Sequence, residues 1–259
     1  MSGRLVPLVS LYAIVVGSCT HPRAYARFKA RKVDIAFISA ILRLDHKYEL
    51  KGLFDEAISY LTTYYTTSFD EWNSGGHARL WRPDAIHAIR AINLARLSNT
   101  PSVLPTAFYI CATLGPDLAR GFSFKDGSNE HTERLAPEDL RTVLEMKAHL
   151  ATENARAAFQ LFRSPGTQGC CAGAWRQILE HAALQGSGKA PHPIASERAL
   201  DRWVANADCL AGNNGNVGSP RRLCWECRNH LLDRDREVRR QTWRGLPGFV
   251  GLTIENWDA

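Results

Sequence analysis

The chain has 259 residues, of which 45% are hydrophobic and 22% are charged, and these values exclude a wholly disordered protein and one embedded throughout in a membrane. Its formal net charge of +6 would suit an anionic partner, but no aromatic or glycine pattern of a nucleic-acid-binding fold accompanies the basic clusters. Seven cysteines in a chain of this length indicate reduced thiols or a metal site rather than a secreted disulfide framework.

Residues 1–33 are predicted to form a poorly defined N-terminal segment. An apolar run from Leu5 to Gly17, followed by Ala24-Tyr25-Ala26, has the form of a secretory signal peptide. Pro7 and the weakly charged start argue against a signal, and the run is too short to span a membrane. We therefore predict an intracellular protein of the cytoplasm or nucleus with no membrane span, and keep a secreted helical protein as the alternative.

Two amphipathic helices are predicted at the start of a first helical region, residues 34–114. Asp34 can cap the first helix, which runs to about Tyr48 and carries isoleucines at helical spacing. The second helix extends from about Lys51 to Tyr65. Because the connection between the two is short, they are expected to pack antiparallel.

The rest of this region is predicted to alternate loops and helices. Residues 66–82 form a polar loop, and Pro83 then opens a helix, since proline is tolerated in a first helical turn. A short helix follows over residues 104–114. Residues 115–134, rich in Gly, Ser, Asp and Asn, are predicted to be a loop that marks an internal boundary.

A second helical region, with a cysteine-rich site, is predicted over residues 135–259. Its long first helix begins at Pro137, with acidic residues at the positive end of the helix dipole, and ends near Phe162. The buried side of this helix is predicted from helical spacing. Its members are Leu140, Val143, Leu144, Ala148, Ala151, Ala155, Phe159 and Phe162.

Three further helices complete this region. Two short ones are predicted over residues 171–184 and 196–210, and the last runs from Pro220 to about Trp243. Since no run of alternating strands is evident, the chain is predicted to be an all-α protein of roughly eight amphipathic helices. The arginine-rich helix 220–244 leaves open a nucleic-acid-binding protein; we favour a solvated helix whose arginines pair with local acids.

The sharpest local pattern is Cys224-Trp225-Glu226-Cys227. In a C-x-x-C at a helix start both sulfurs face one way, and the helix dipole favours thiolates. A redox dithiol would need a strand–helix setting of thioredoxin type, which the chain lacks. The pattern therefore indicates either half of a structural zinc site or small buried core residues.

The other half of a zinc site would come from elsewhere in the chain. The candidate thiols are Cys170, Cys171 and Cys209. Two adjacent cysteines rarely both bind one ion, so the first two count once. His181 and His230 lie near the cysteine-rich helices and could replace a missing thiol.

No motif of enzyme chemistry emerges. The chain has no G-x-x-x-x-G-K-[ST], G-x-G-x-x-G or G-x-S-x-G sequence, and its histidines form no H-E-x-x-H pattern. The paired carboxylates Glu138-Asp139 are explained by their place in a first helical turn. We therefore predict a non-enzymatic protein.

The segment Phe37–Leu50 resembles the late helices of BTB/POZ domains from mushroom-type fungi. Further segments resemble later landmarks of that family in the same order: Leu53–Leu61, Ala91–Arg96, Leu104–Tyr109, Leu135–Arg141, Leu223–Cys227, Trp243–Pro247 and Gly251-Leu252. The ordered series covers about residues 25–258, and it implies that residues 34–114 hold the late BTB helices and the helical pair that follows.

This resemblance implies protein–protein interaction, as an adaptor or scaffold in transcription or ubiquitin transfer. It also implies a paired cysteine pattern near Cys170 and at Cys224 and Cys227. The strands and helices that open a BTB domain have no counterpart among the residues before Asp34. Neither BTB dimerisation nor the cullin contact made by that missing part is therefore predicted, and the partners are protein partners of unknown identity.

Overall fold

The computed structural model describes residues 35–48, 51–79, 83–126, 129–162, 171–184, 193–204 and 223–259. They divide into two compact units, the first holding the described residues up to Val143 together with Val250–Ala259, and the second Leu144–Phe249. Within these ranges there are nine α-helices and one two-stranded sheet, which confirms the predicted all-α class. None of the helices described is long and apolar enough to cross a membrane.

The first unit contains six helices: α1 (Ile35–Tyr48), α2 (Lys51–Tyr64), α3 (Phe69–Ser74), α4 (Ala88–Leu97), α5 (Leu104–Ala112) and α6 (Asp117–Arg120). The predictions of α1 and α2 are confirmed. The polar loop predicted over residues 66–82 was wrong, because α3 begins there with Ser68 as its cap, accepting a hydrogen bond from the Glu71 N–H. Gly75, at φ 75°, ends this helix in the left-handed region.

The core of the first unit is built around α5. All nine residues of this helix are buried, and a helix that is apolar on every side is stable only inside a protein. α4 contributes six buried apolar side chains, and α1 adds the predicted isoleucines Ile35, Ile38 and Ile41, each no more than 3% exposed. The helical spacing that predicted these buried faces is thereby confirmed.

The loop predicted over residues 115–134 was wrong, because most of it is a β-hairpin. Strand β1 (Phe122–Asp126) pairs antiparallel with β2 (Asn129–Glu133), so that Phe122 faces Glu133. Gly121 precedes the hairpin at φ 82°, and a Cβ atom there would lie 2.7 Å from the Glu133 carbonyl oxygen. Only glycine therefore fits this approach without strain.

Glu133 attaches the hairpin to the helices. Its carboxylate pairs with the Arg90 Nε of α4 at 2.6 Å and the Arg43 Nη2 of α1 at 3.0 Å, and it accepts a hydrogen bond from the Asn93 amide at 3.0 Å. Arg90 is only 2% exposed, and its guanidinium also lies 4.0 Å and 4.7 Å from the centres of the two phenylalanine rings of β1. Among the described residues, Glu133 is the carboxylate that pairs with this buried arginine.

The C-terminal tail also belongs to the first unit. The Asp258 N–H donates to the Thr67 carbonyl oxygen at 3.0 Å, and the Phe69 N–H donates to the Asp258 carboxylate at 3.3 Å. These bonds satisfy backbone groups at the start of α3, where the first N–H groups of a helix have no partner within it. The tail thus caps α3 from a distant part of the sequence.

The second unit contains the greater part of α7 (Pro137–Phe162), together with α8 (Ala172–Leu184) and α9 (Trp225–Phe249). The long helix and α8 confirm their predictions. The last helix begins at Trp225 rather than Pro220, and ends at Phe249 rather than near Trp243. Residues 196–203 form bends and turns where a helix was predicted, Val204 is helical, and residues 205–210 lie outside the described ranges.

The predicted buried side of α7 was wrong in its middle. Leu144 and Phe159 are 55% and 52% exposed, and Ala148 is exposed as well. Val143 and Phe162 are buried as predicted. The other buried residues beyond the first turn, where Asp139 is buried, lie on a neighbouring stripe of the same helix: Met146, Leu150, Asn154, Ala157, Ala158 and Leu161. Both stripes have helical spacing, but the buried one contains a polar side chain that the sequence pattern places outside.

Asn154 is the buried polar side chain of that stripe. Its amide nitrogen donates to the carbonyl oxygens of Pro193 and Ile194 at 3.0 and 2.9 Å, and the residue is fully buried. These two bonds hold the turn-rich segment 193–204 against α7. The two bonds offset part of the cost of burying the amide, while its Oδ1 is buried without a hydrogen-bond partner among the described residues.

Replacing Asn154 by alanine is expected to lower the free energy of unfolding by about 2 kcal/mol, since two hydrogen bonds are lost and two buried carbonyl groups lose a donor. Amide hydrogen exchange should quicken most in residues 193–204. Thr152→Ala is the matched control, because that exposed hydroxyl bonds only to the Ala148 carbonyl of its own helix. Equal exchange in the two variants would contradict this role for Asn154.

Candidate metal centre

Three cysteines meet at the junction of α8 and α9. The sulfur atoms of Cys171, Cys224 and Cys227 all lie within 4.8 Å of one another. A tetrahedral zinc ion with Zn–S bonds of about 2.3 Å separates its sulfur ligands by about 3.8 Å, so a modest closing of the side chains would admit an ion. Of the five predicted ligands, these three are brought together; Cys170 and Cys209 lie outside the described residues.

The local fold of each segment presents these sulfurs at helix starts. The Cys171 carbonyl accepts the Trp175 N–H at 3.0 Å in the first turn leading into α8, and the Cys224 carbonyl accepts the Arg228 N–H at 2.9 Å in the first turn of α9. The helix dipole places partial positive charge at such positions and favours a thiolate over a thiol.

Two backbone N–H groups point at the sulfurs. The Cys224 N–H donates to the Cys171 Sγ at 3.3 Å, and the Cys227 N–H donates to the Cys224 Sγ at 3.5 Å. In the second bond the cysteine sulfur takes the place that a serine or threonine oxygen usually occupies when it caps a helix. Both bonds therefore place a backbone donor against a sulfur of the cluster.

The cluster lies at the edge of the apolar core of the second unit. Cys171 and Cys227 are 8% and 6% exposed and belong to the same buried cluster as Trp175 and Trp203, whereas Cys224 is exposed. An ion bound here would link the start of α8 to the start of α9 and would be reached from solvent past Cys224. Such a position suits a site that holds two helices together.

Cys111 shows what an ordinary buried thiol looks like in this protein. It lies in α5 of the first unit and is fully buried. Burial, and secondarily the negative charge of Asp139, raises the pKa of the Cys111 thiol well above its ordinary value. A thiol that stays protonated is a poor metal ligand, so the interpretation of the cysteines as small core residues holds for Cys111.

The fourth ligand is not settled by the described residues. No histidine, aspartate or glutamate among them joins the three sulfurs. His230, predicted as a substitute, lies on α9 and is half-buried, but it is not a member of the cluster. The side chain of His181, the other substitute, lies outside the described ranges.

A second polar cluster in this unit is structural. The Asp235 carboxylate accepts the Trp203 N–H at 3.1 Å and pairs with the Arg239 Nε at 3.0 Å, with both charged side chains at least 96% buried. Burial raises the pKa of Asp235, while Arg239 and the Trp203 N–H act in the opposite direction. Like Asn154, this pair fixes the segment 193–204.

The arginines of α9 are engaged within the chain. The Arg234 guanidinium donates to the Gln160 carbonyl, and Arg239 pairs with Asp235. The other described arginines of the helix have interactions of their own: Arg228, Arg236, Arg240 and Arg244. Arg239 pairs with a local acid as predicted, but it is buried rather than solvated, and Arg234 bonds a carbonyl of α7 instead of an acid.

Sequence reasoning missed an exposed apolar surface. We call it the outer face of α7 and define it by Leu144, Ala148, Ala155 and Phe159. The first and last of these are more than half exposed, Ala148 is exposed and Ala155 is half-buried. Exposed large apolar side chains on one helix face are a recurrent mark of an interaction surface.

No protein-family model matches this chain, and neither a curated protein nor a solved structure matches it. The resemblance to BTB/POZ proteins therefore stays a prediction from the sequence.

Proposed function

We propose that this chain is a non-enzymatic protein that acts by binding other proteins, and that a structural zinc ion at Cys171, Cys224 and Cys227 stabilises its second unit. The observation that carries the metal proposal is the convergence of three sulfurs, two of which accept backbone N–H bonds. Thiolate-rich sites select soft or borderline ions, of which zinc is the one without redox chemistry. Cys209 is proposed as the fourth ligand, since the adjacent Cys170 and Cys171 count once.

The role of the ion is structural in this proposal. Structural zinc sites are closed by four protein ligands, whereas catalytic sites keep one position for water. Two of the three sulfurs lie in the apolar core, where a reactant would have little access. The ion would supply folding free energy to a unit whose helices α8 and α9 are joined by a long connection.

Metal content and ligand spectra test the zinc proposal. The full chain, purified without chelator, is expected to contain one zinc per molecule, and its cobalt-substituted form should show the charge-transfer bands of cobalt–thiolate bonds. Cys171→Ser should weaken these bands, while Cys111→Ser leaves them unchanged. Separate Cys170→Ser and Cys209→Ser variants identify the fourth ligand. A chain that takes up neither zinc nor cobalt would refute the proposal.

The protein-binding part is supported by the outer face of α7 and by the BTB/POZ resemblance, which favours an adaptor or scaffold. Nucleic-acid binding is less well supported, because the described arginines of α9 all have partners within the chain. Interfaces are enriched in aromatic and other large side chains, and Leu144 and Phe159 are more than half exposed on this face.

Two aspartate variants test the protein-binding proposal, one on the outer face of α7 and one away from it. Leu144→Asp on the outer face should abolish the capture of partner proteins, whereas Leu97→Asp, at an apolar side chain that is 37% exposed on α4, should not. Circular dichroism confirms that both remain folded. If both variants retain the same proteins as the wild type, the outer face does not serve this function. Binding to mixed DNA or RNA at low salt is measured in parallel and would favour the alternative.

A further inference from the structure

The outer face of α7 has a symmetric sequence. Its two large residues, Leu144 and Phe159, and its two small residues, Ala148 and Ala155, are centred on the same point of the helix, between residues 151 and 152. Large side chains therefore stand at both ends and small ones in the middle. A helix face with this pattern is complementary to itself when a second copy is turned end to end.

We propose that the outer face of α7 binds the same face of a second copy of this chain, with the two helices antiparallel. This inference rests on the proposed protein-binding function and names its partner. Leu144 would pack beside the partner's Phe159, and the reverse contact would follow from the two-fold symmetry. Ala148 would face the partner's Ala155, and the small side chains there would allow the helix axes to approach closely.

The charges beside the face select the antiparallel orientation. Glu145 is exposed, and the Arg156 side chain is 40% exposed; helical spacing puts both on the same edge of the face. An antiparallel pair brings Glu145 beside the partner's Arg156, twice by symmetry. A parallel pair in register would place this edge of the two helices on opposite sides of the interface, so neither of these ion pairs could form.

Both charges already have interactions within their own chain. Arg156 pairs with Glu153, three residues earlier on the same helix. Surface pairs of this kind contribute little to stability, typically less than about 1 kcal/mol. The guanidinium can therefore be shared with the partner's Glu145 at small cost.

The small area of the outer face of α7 limits the expected affinity of the dimer. Sixteen residues of α-helix are about 24 Å long, and a single helix pair of that length buries less than the roughly 1,200 Å² of a standard interface. We therefore expect a weak dimer that forms and dissociates with concentration.

Sedimentation equilibrium of the purified full chain over a range of concentrations tests the inference. The wild type is expected to show a reversible monomer–dimer equilibrium. Leu144→Asp and Phe159→Asp should each raise the dimer Kd by about tenfold or more, which corresponds to roughly 1.4 kcal/mol. Leu97→Asp should leave the Kd unchanged. A wild type that stays monomeric at all concentrations, or a dimer insensitive to both outer-face variants, would overturn the inference.

A charge exchange tests the orientation. Glu145→Arg and Arg156→Glu should each weaken the dimer, and the double variant should restore it, because each pair is then rebuilt with reversed signs. Failure of the double variant to recover would overturn the antiparallel arrangement. A monomeric wild type whose captured proteins are lost in Leu144→Asp would overturn self-association and leave the proposed function intact.

Discussion

Cys227→Ala is expected to lower the thermal stability of the second unit severely and to remove its response to chelators. Zinc bound in small thiolate sites contributes an apparent binding free energy of about 10–16 kcal/mol at neutral pH, and that free energy is coupled to folding. Losing one of the three sulfurs should remove most of this binding free energy. Thermal unfolding followed by near-ultraviolet circular dichroism reports on the buried Trp175 and Trp203 of this unit.

The control for this prediction is Cys111→Ala, which truncates an equally buried thiol in the first unit. Both variants lose a small core side chain. A chelator should further destabilise the wild type and Cys111→Ala, but not Cys227→Ala. If the chelator shifts the unfolding of Cys227→Ala as much as that of the wild type, the sulfur is not a ligand. If it shifts none of the three proteins, no structural ion is present.

Glu133→Gln is expected to lower the free energy of unfolding of the first unit by about 3 kcal/mol or more. The amide retains the shape of the carboxylate but leaves the Arg90 charge buried without a counter-ion, and removing one partner of a buried pair typically costs about 3–5 kcal/mol. Urea denaturation measures the loss, and faster amide exchange in residues 122–133 should show that the hairpin is released first.

Two further variants separate burial from charge. Asp117→Asn breaks a pair with Arg120 in which both side chains are more than half exposed, so it should change stability by less than about 1 kcal/mol. Adding Arg90→Met to Glu133→Gln should recover part of the loss, because no unpaired charge then stays buried. Equal destabilisation by Glu133→Gln and Asp117→Asn would contradict the role given to Glu133.

The helices were predictable because their signals are local. Pro137 and the acidic residues after it mark the start of α7, and the isoleucine spacing of α1 is contained within two helical turns. The C-x-x-C pattern that opens α9 was likewise visible, since Cys224 and Cys227 are only three residues apart. In each case the residues that cause the structure are neighbours in the chain.

The hairpin was missed for the opposite reason. Residues 115–134 have the composition of a loop, and the hairpin within them is attached to the helices by the bond from Glu133 to Arg90, 43 residues away. No short-range pattern contains both partners. Cys171 reached the candidate list by residue type alone, because its contact with Cys224 spans 53 residues.

The sequence by itself determined that this chain is helical, where most of its helices lie, and that cysteines near Cys171 and Cys224 could hold a metal. Only the tertiary structure decided which side of α7 is buried. Two stripes of that helix have the same period, and the buried one is selected by the bonds from Asn154 to the carbonyls of Pro193 and Ile194. Periodicity measures how apolar a face is, but a polar side chain can also be buried when a distant segment offers acceptors for its amide hydrogens. The displaced stripe, with Leu144 and Phe159, is thereby left on the surface, where a partner can reach it.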